Sequence, residues 1–218
     1  MMRISITDLR ALDGDTQLVA VHVLIVSENN QRDARVYRIL PEQYAAMRLR
    51  VGEIDPDTVD ALEQAATLSA AICRGLRMLS YSAKSERALC MKLRAVGIAP
   101  EVAAEAAAYL ARKGLMNERE DAMRLVTSCR RKRWGMRRIL SHLFEKGYPE
   151  SVIRAVQTEL EDEDFVPDCV ALILAKYGEV SEDRQERQKM IAALMRYGYA
   201  MGEIRQAMET VSREDGEE

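Results

Sequence analysis

The sequence predicts a mainly α-helical protein, built as three tandem three-helix repeats in an elongated array behind a small N-terminal antiparallel β element. Strong helix formers such as Ala, Leu, Glu, Arg and Met dominate the 218 residues, whereas Gly (11) and Pro (5) are scarce. The first 40 residues instead carry runs rich in Val and Ile. From about residue 70 onward, a glycine-centred pattern recurs at spacings of 50 and 51 residues.

The β element is predicted from three apolar runs at residues 4–6, 18–26 and 35–40. Because side chains alternate between the two faces of a strand, the middle run places Leu18, Ala20, His22 and Leu24 on one face. Residues that favour turns separate the runs at 13–15 and at 27–30. So small a sheet is not stable alone and must pack against another element.

Two helices are predicted to follow, each with a proline near its first turn, where the missing N–H of proline is tolerated. The first begins at Pro41 and ends near Val51. The second is capped by Asp55, starts with Pro56 and continues to Leu79, since apolar residues recur along it at helical spacing.

Three later segments align on Gly97, Gly147 and Gly198. A leucine stands four residues before each glycine, and an apolar or aromatic residue follows it directly. This pattern predicts a helix that ends at the glycine, which tolerates a left-handed last turn, and then a second helix. A further helical segment is predicted upstream of each pair, at 68–80, 118–133 and 168–177. Each repeat thus has three helices, and tandem repeats bury a core by stacking on their neighbours.

These elements divide the chain into five predicted segments. An N-terminal extension of β-hairpin and short helix takes residues 1–54, and a linker helix with the first repeat takes 55–115. The second repeat is 116–164 and the third is 165–213, followed by an acidic tail at 214–218.

The composition argues against a membrane protein. No apolar run approaches the ~18 residues that span a bilayer, and the N-terminus lacks the apolar core of a signal peptide, so we expect a cytoplasmic protein. The four cysteines form no CxxC pair, so a zinc site is not expected. In that compartment we expect buried, reduced thiols at Cys73, Cys90, Cys129 and Cys169.

The sequence also argues against an enzyme. It has no phosphate-binding glycine loop, no dinucleotide-binding motif and no nucleophile elbow. Neither His22 nor His142 has an Asp or Cys nearby in the sequence, so surface or core roles are favoured for both. We therefore expect a binding protein with no catalytic residue, no cofactor and no metal.

Charge is strongly segregated along the chain. Residues 70–146 carry 17 basic and 7 acidic residues, whereas residues 147–218 carry 8 basic and 17 acidic ones. The densest part, the basic cluster, holds six bases and no acid within residues 130–138: Arg130, Arg131, Lys132, Arg133, Arg137 and Arg138. Because like charges repel, stability does not account for this density, whereas an anionic partner such as a phosphate backbone does.

Two features leave alternatives open. Trp134 inside the basic cluster can stack on a nucleic-acid base or lie buried between helices, and the buried role is favoured. Further candidate bases of the first repeat are Lys84, Arg87, Lys92 and Arg94. For Lys84, Arg87 and other isolated bases a solvated helix face is favoured.

Over residues 70–211 the chain resembles the RecX family. The first repeat carries the family's pattern at Leu79-Ser80, Lys84-Ser85, Leu89, Lys92-Leu93 and Gly97. The second carries it at Gly114-Leu115, Ala122, Gly135, Arg138-Ile139, Leu143 and Lys146-Gly147, and the third at Leu194, Arg196, Gly198-Tyr199 and Ile204. The chain departs from the pattern at Ser82, Ala88, Val96 and Asp121.

The resemblance implies a regulator of the RecA recombinase, with a part in recombination, DNA repair and the SOS response. Such a protein lies in the groove of the RecA filament on single-stranded DNA and limits recombinase activity by binding, without catalysis. The implied partners are the RecA filament and single-stranded DNA, met directly or through the filament, with the protein acting as a monomer and away from membranes.

Two other functions stay open on the residues alone. The basic cluster is also typical of a helical-repeat protein that binds nucleic acid independently of RecA. Alternatively, the repeats form a protein-interaction scaffold whose arginines contact acidic protein surfaces.

Overall fold

The computed structural model of the chain describes residues 2–12 and 17–214. The turn predicted at 13–15 and residues 215–218 of the predicted acidic tail lie outside the described residues. The chain forms two compact units. The first comprises residues 1–83 and 89–115, and the second comprises residues 84–88 and 116–218.

The first unit begins with an antiparallel sheet in the strand order β3-β2-β1-β4. Its strands are β1 (Arg3–Leu12), β2 (Leu18–Val26), β3 (Arg32–Ile39) and β4 (Gly52–Glu53). The predicted limits of β2 are confirmed, but β1 is much longer than predicted and β4 was not expected. A shift of register between Ile6 and Asp8 breaks the alternation of apolar residues in β1, which is why the sequence pattern ends early.

Two helices pack near this sheet. The first, α1 (Pro41–Met47), ends earlier than predicted, at Arg48 in the left-handed conformation. The second, α2 (Pro56–Tyr81), is capped as expected by Asp55, whose carboxylate accepts a 2.7 Å hydrogen bond from the amide of Thr58. The apolar core between α2 and the sheet includes Ile4, Ile6, Val21, Val23, Ile39, Val59 and Leu62.

The C-terminal half of α2 packs against α4 (Pro100–Arg112). Gly75 permits this approach, because a Cβ atom there would lie 2.7 Å from Cδ1 of Leu110. The intervening helix is α3 (Glu86–Ala95), and it buries Leu89 and Leu93. The linker helix and the first helix of the predicted first repeat are therefore one continuous helix.

The second unit holds six helices among the described residues. They are α5 (Glu118–Arg131), α6 (Met136–Glu145), α7 (Glu150–Glu161), α8 (Val166–Tyr177), α9 (Arg184–Arg196) and α10 (Met201–Glu214). One apolar core runs through all six helices, and its fully buried members include Ile139, Leu143, Ile173 and Tyr199.

Three corners between helices share one backbone geometry. Gly97, Gly147 and Gly198 all have positive φ angles, of 89°, 79° and 99°. The residue after each glycine donates its amide to the carbonyl of the leucine four residues before that glycine. The predicted helix ends are therefore confirmed, and the left-handed conformation explains the glycine at each corner.

The predicted fold class is confirmed as mainly helical with a small N-terminal antiparallel sheet. All four cysteines are free thiols on helices, but only Cys129 and Cys169 are buried, whereas Cys73 and Cys90 are half-buried. The five predicted segments stay a prediction.

Candidate nucleic-acid interface

The basic cluster spans the connection between α5 and α6. Helix α5 ends at Arg131, and Arg133 adopts a left-handed conformation with a φ of 57°. Trp134 then donates its amide to the carbonyl of Cys129 (3.2 Å), and Gly135 caps α6. The six bases are therefore divided between the end of α5, the corner and the start of α6 and do not lie on one helix face.

Arg130 is held by acidic groups of the same unit. Its guanidinium bonds Asp168 at 3.0 Å and Glu163 at 2.5 Å, and its central carbon lies 4.9 Å from the ring centre of Phe165. Only 29% of the side chain is exposed. Arg130 therefore has a structural role, because it joins the end of α5 to the start of α8, and its predicted contact with an anionic partner stays a prediction.

Arg133 is also used internally. Its guanidinium donates to the carbonyl of Ala171 at 2.6 Å, and its own carbonyl accepts a 2.8 Å bond from the hydroxyl of Tyr199. Tyr199 is fully buried, and burial raises the pKa of its phenol, which keeps the donor protonated. Arg133 therefore ties the corner to α8 and to the residue that follows Gly198.

The remaining four bases of the cluster have no carboxylate partner among the described residues. Arg131 and Arg137 are exposed. Lys132 and Arg138 flank Trp134, with Lys132 Nζ 5.4 Å and the guanidinium carbon of Arg138 4.0 Å from the ring centre. These four bases are the available part of the cluster.

Cations and aromatic rings alternate across this surface. Arg138 also lies 5.2 Å from the ring centre of Tyr197, and Lys176 Nζ lies 4.9 Å from the same ring. We call Lys132, Trp134, Arg138, Tyr197 and Lys176 the cation–π patch. Such contacts fix long cationic side chains in place and leave their N–H groups able to donate to an anion.

Trp134 is half-buried, so the favoured role between helices is confirmed in part. The edge of His142 meets it at 5.2 Å between ring centres, with an angle of 82° between the ring planes. Arg138 lies against the ring as well. Arg138 already occupies the position over the ring that a stacked base would take on that face, so the geometry favours contacts to phosphate there.

The other four predicted bases lie in or just before α3 rather than at the corner between α5 and α6. Lys92 and Arg94 are exposed in the last turn of α3, within the first unit. Basic side chains at this end interact favourably with the helix dipole. Arg87 is exposed, but its aliphatic part packs on Gly147. Lys84 is half-buried.

The first unit holds a second basic surface whose arginines are not among the predicted candidate bases. A groove of about 780 Å³ is lined by Arg38 of β3 and by Arg74 and Arg77 of α2. Tyr81, which is 89% exposed, is one of the lining residues, and none of the described residues that line the groove is acidic. Arg74, Arg77 and Tyr81 are spaced by three and four residues on one helix face, a signal visible in the sequence, whereas Arg38 comes from a strand.

Within the described residues, no group of three or more His, Cys, Asp or Glu side chains is placed to hold a metal ion. Over the same part of the chain, no helix combines the length and apolarity needed to cross a membrane.

A family model and solved structures of other proteins resemble this chain. Residues 169–208 match the model of the third three-helix domain of RecX. A crystal structure of regulatory protein RecX matches 94% of this chain and 99% of its own, with a TM-score of 0.73 and 19% identity. The crystal structure of RecX from Lactobacillus salivarius matches 68% of this chain and 98% of its own, with a TM-score of 0.58 and 20% identity.

No curated protein matches the sequence. The family model confirms the resemblance to the RecX family over the residues that it matches, and the two structures show that the chain shares their fold.

Proposed function

We propose, from the premise that this chain is a RecX-like regulatory protein, that it binds the RecA filament on single-stranded DNA and limits recombinase activity. It acts as a monomer in the cytoplasm and carries out no catalysis of its own. The observation that carries the proposal is the pairing of the RecX resemblance with exposed, unpaired bases beside the cation–π patch.

The charge of this surface suits a polyanion. Arg131 and Arg137 are exposed and form no ion pair with a carboxylate of the described residues, so bringing them to phosphates or to carboxylates of a filament breaks no ion pair seen there. Lys132 and Arg138 are already ordered by their contacts with Trp134, so binding costs less side-chain entropy there.

The mechanism needs only differential binding. A protein that binds one state of a filament more tightly than another shifts the population toward the preferred state. If the preferred state is a filament that cannot extend or turn over, growth and ATP hydrolysis both fall as the protein is added. The chain then acts as a regulator by mass action.

Cosedimentation with preformed filaments of the cognate recombinase tests the binding step. We expect the chain to sediment with filaments, and the double variant Arg131→Ser/Arg137→Ser to bind at least about tenfold more weakly, because two charge-assisted contacts are lost. The matched control is Arg119→Ser/Arg154→Ser, which removes two exposed arginines that pair with Glu159 and Glu150. Equal binding of the two double variants would contradict the assigned surface.

The groove of the first unit favours a second candidate function, which is binding of nucleic acid without the recombinase. The described lining of the groove holds three arginines, an exposed tyrosine and no acidic residue, which matches the composition of sites for single strands. Fluorescence anisotropy with a labelled single strand, without recombinase, tests it. We expect the wild-type chain to bind with an affinity that falls steeply with salt, and Arg74→Glu/Arg77→Glu to abolish this binding. Unchanged binding of the double variant would exclude the groove as a nucleic-acid site.

A further inference from the structure

Two of the three glycine corners are each filled by the start of a helix. At Gly147, the hydroxyl of Ser85 donates to the carbonyl of Lys146 at 2.8 Å, and a Cβ on the glycine would lie 3.3 Å from Cβ of Arg87. Ser85 also accepts a 3.2 Å bond from the amide of Ala88, so its hydroxyl caps the helix that fills the corner.

The corner at Gly198 is filled in a related way. Gly135, the N-cap of α6, donates its amide to the carbonyl of Tyr197 at 2.8 Å, and Arg137 donates to the carbonyl of Gly198 at 3.2 Å. In both corners the carbonyl just before the glycine accepts a hydrogen bond from a small residue at a helix start.

The two helix starts occupy the same place in the repeat. Ser85 and Gly135 each stand twelve residues before the next corner glycine in the sequence, and both are buried. At Gly135 no side chain fits, because a Cβ there would lie 2.6 Å from the carbonyl oxygen of Gly198, whereas the corner at Gly147 takes the small side chain of Ser85. In two corners of this chain, the occupant is therefore the start of a helix with a small residue at its N-cap.

The third corner, at Gly97, is open among the described residues. No described atom lies within 4 Å of a Cβ placed on this glycine. A groove of about 740 Å³ runs along it, lined by Met91, Arg94, Ala95, Gly97, Ile98, Ala99 and Pro100. Met91 is 60% exposed and the adjoining Val96 is 42% exposed, which leaves apolar surface in solvent beside the carbonyls of Val96 and Gly97.

We propose that the corner at Gly97 is a docking site for the first turn of an α-helix from a partner protein, with Ser or Gly at its N-cap. The hydroxyl or amide of that small residue donates to the carbonyl of Val96. Residues two and three positions further along cover Gly97 and the side chain of Met91. The inference is independent of the proposed regulation of a recombinase.

A second copy of this chain is not a suitable occupant of the corner, because the third repeat has no small residue at the position that corresponds to Ser85 and Gly135. The residue twelve positions before Gly198 is Glu186, which is exposed and lies in the first turn of α9, after the N-cap Asp183. A carboxylate there would face the carbonyls of the corner, and like partial charges repel. A partner protein with a small N-cap residue is therefore the occupant that the geometry favours.

A peptide of the chain's own residues 82–95, acetylated at its N-terminus, is the probe, because it contains the helix start that fills the corner at Gly147. We expect titration of the ¹⁵N-labelled full chain to shift the amide resonances of Val96, Gly97 and Ile98 in a saturable way. A peptide with Ser85→Val should bind at least about tenfold more weakly, since it loses the hydroxyl donor and adds a branched side chain.

The variant Ala95→Trp fills the groove and should abolish these shifts. Ala104→Trp, at an exposed position of α4 outside the groove, is the matched control and should leave them intact. Absence of shifts at the corner, or shifts that survive Ala95→Trp, would overturn the proposal. Self-association of the wild-type chain that Ala95→Trp removes would assign the corner to a second copy instead, and so would also overturn it.

Discussion

Gly135 and Gly198 meet backbone to backbone, so closely that a Cβ atom on Gly135 would lie 2.5 Å from the carbonyl carbon of Gly198. The contact joins the start of α6 to the corner between α9 and α10. Beside it, the amide of Gly135 donates a hydrogen bond to the backbone carbonyl of Tyr197. Both glycines are buried. A backbone contact of this kind leaves no room for adjustment, so the join depends on the lack of a side chain at both positions.

Gly135→Ala should therefore destabilise the second unit strongly. The added methyl group would meet backbone atoms that cannot rotate away, and overpacking of this kind costs about 1–3 kcal/mol or more. Urea unfolding followed by circular dichroism measures the loss. The control is Gly202→Ala on the exposed side of α10, where a Cβ meets nothing within 4 Å and should stabilise by up to about 1 kcal/mol. Equal stability of the two variants would contradict the close contact.

Arg130→Ser and Arg131→Ser should differ in stability although the residues are adjacent. Arg130 bonds Glu163 and Asp168 and covers Phe165, so its loss should cost about 1–2 kcal/mol of unfolding free energy. Arg131 is exposed and unpaired among the described residues, so its loss should change stability by less than about 0.5 kcal/mol. Urea midpoints of the two variants check this, and equal midpoints would disprove the internal role of Arg130.

Tyr199→Phe should destabilise the protein at neutral pH and reduce its sensitivity to alkali. The hydroxyl bond to the carbonyl of Arg133 is worth about 1 kcal/mol. Burial raises the pKa of Tyr199 above its ordinary value of 10, so its stabilising contribution is present below pH ~10 and is lost as pH rises further. Unfolding free energies measured at neutral and alkaline pH should converge for wild type and variant. A constant difference would contradict the shift.

Tyr109→Phe should lower the free energy of unfolding at neutral pH and change how this free energy depends on pH in the acidic range. The hydroxyl of Tyr109 bonds Glu42 at 2.5 Å and, with Lys113 nearby, lowers the pKa of that carboxyl below its ordinary value of 4.5. Stability from a lowered carboxyl pKa is present above pH ~4.5 and is lost as pH falls through the folded value. The difference between wild type and variant should therefore shrink on acidification. A difference that grows would refute the assignment.

Arg131→Ser/Arg137→Ser should also lower the salt dependence of binding to single-stranded DNA. Each neutralised phosphate contributes about 0.7 to the slope of log affinity against log salt on a single strand, so two lost contacts should reduce it by about 1.4. Anisotropy titrations over a range of salt concentrations give the slope. An unchanged slope would mean that these arginines do not touch phosphate.

The sequence was sufficient where one local rule decides the structure. The limits of β2 follow from its alternating Val and Ile residues, and the three corners follow from glycines with a leucine four residues before them. The sequence was insufficient where contacts between residues far apart in the chain determine the structure. The partners of Arg130 lie more than thirty residues further along the chain, so the basic cluster looked uniform until the fold divided it.

The same reason explains the basic groove of the first unit. Arg74 and Arg77 are visible as one helix face, but Arg38 joins them only because β3 lies against α2. In the same way, the open corner at Gly97 has the leucine and glycine of the two filled corners and the same backbone geometry, but nothing in the described residues packs against it.

ATP hydrolysis by the cognate RecA recombinase on single-stranded DNA tests the central claim most directly. With the chain added up to stoichiometric excess, we predict a progressive fall in turnover that Arg131→Ser/Arg137→Ser weakens and Arg119→Ser/Arg154→Ser does not. Turnover that stays unchanged at stoichiometric excess of the folded wild-type chain would contradict the proposed function.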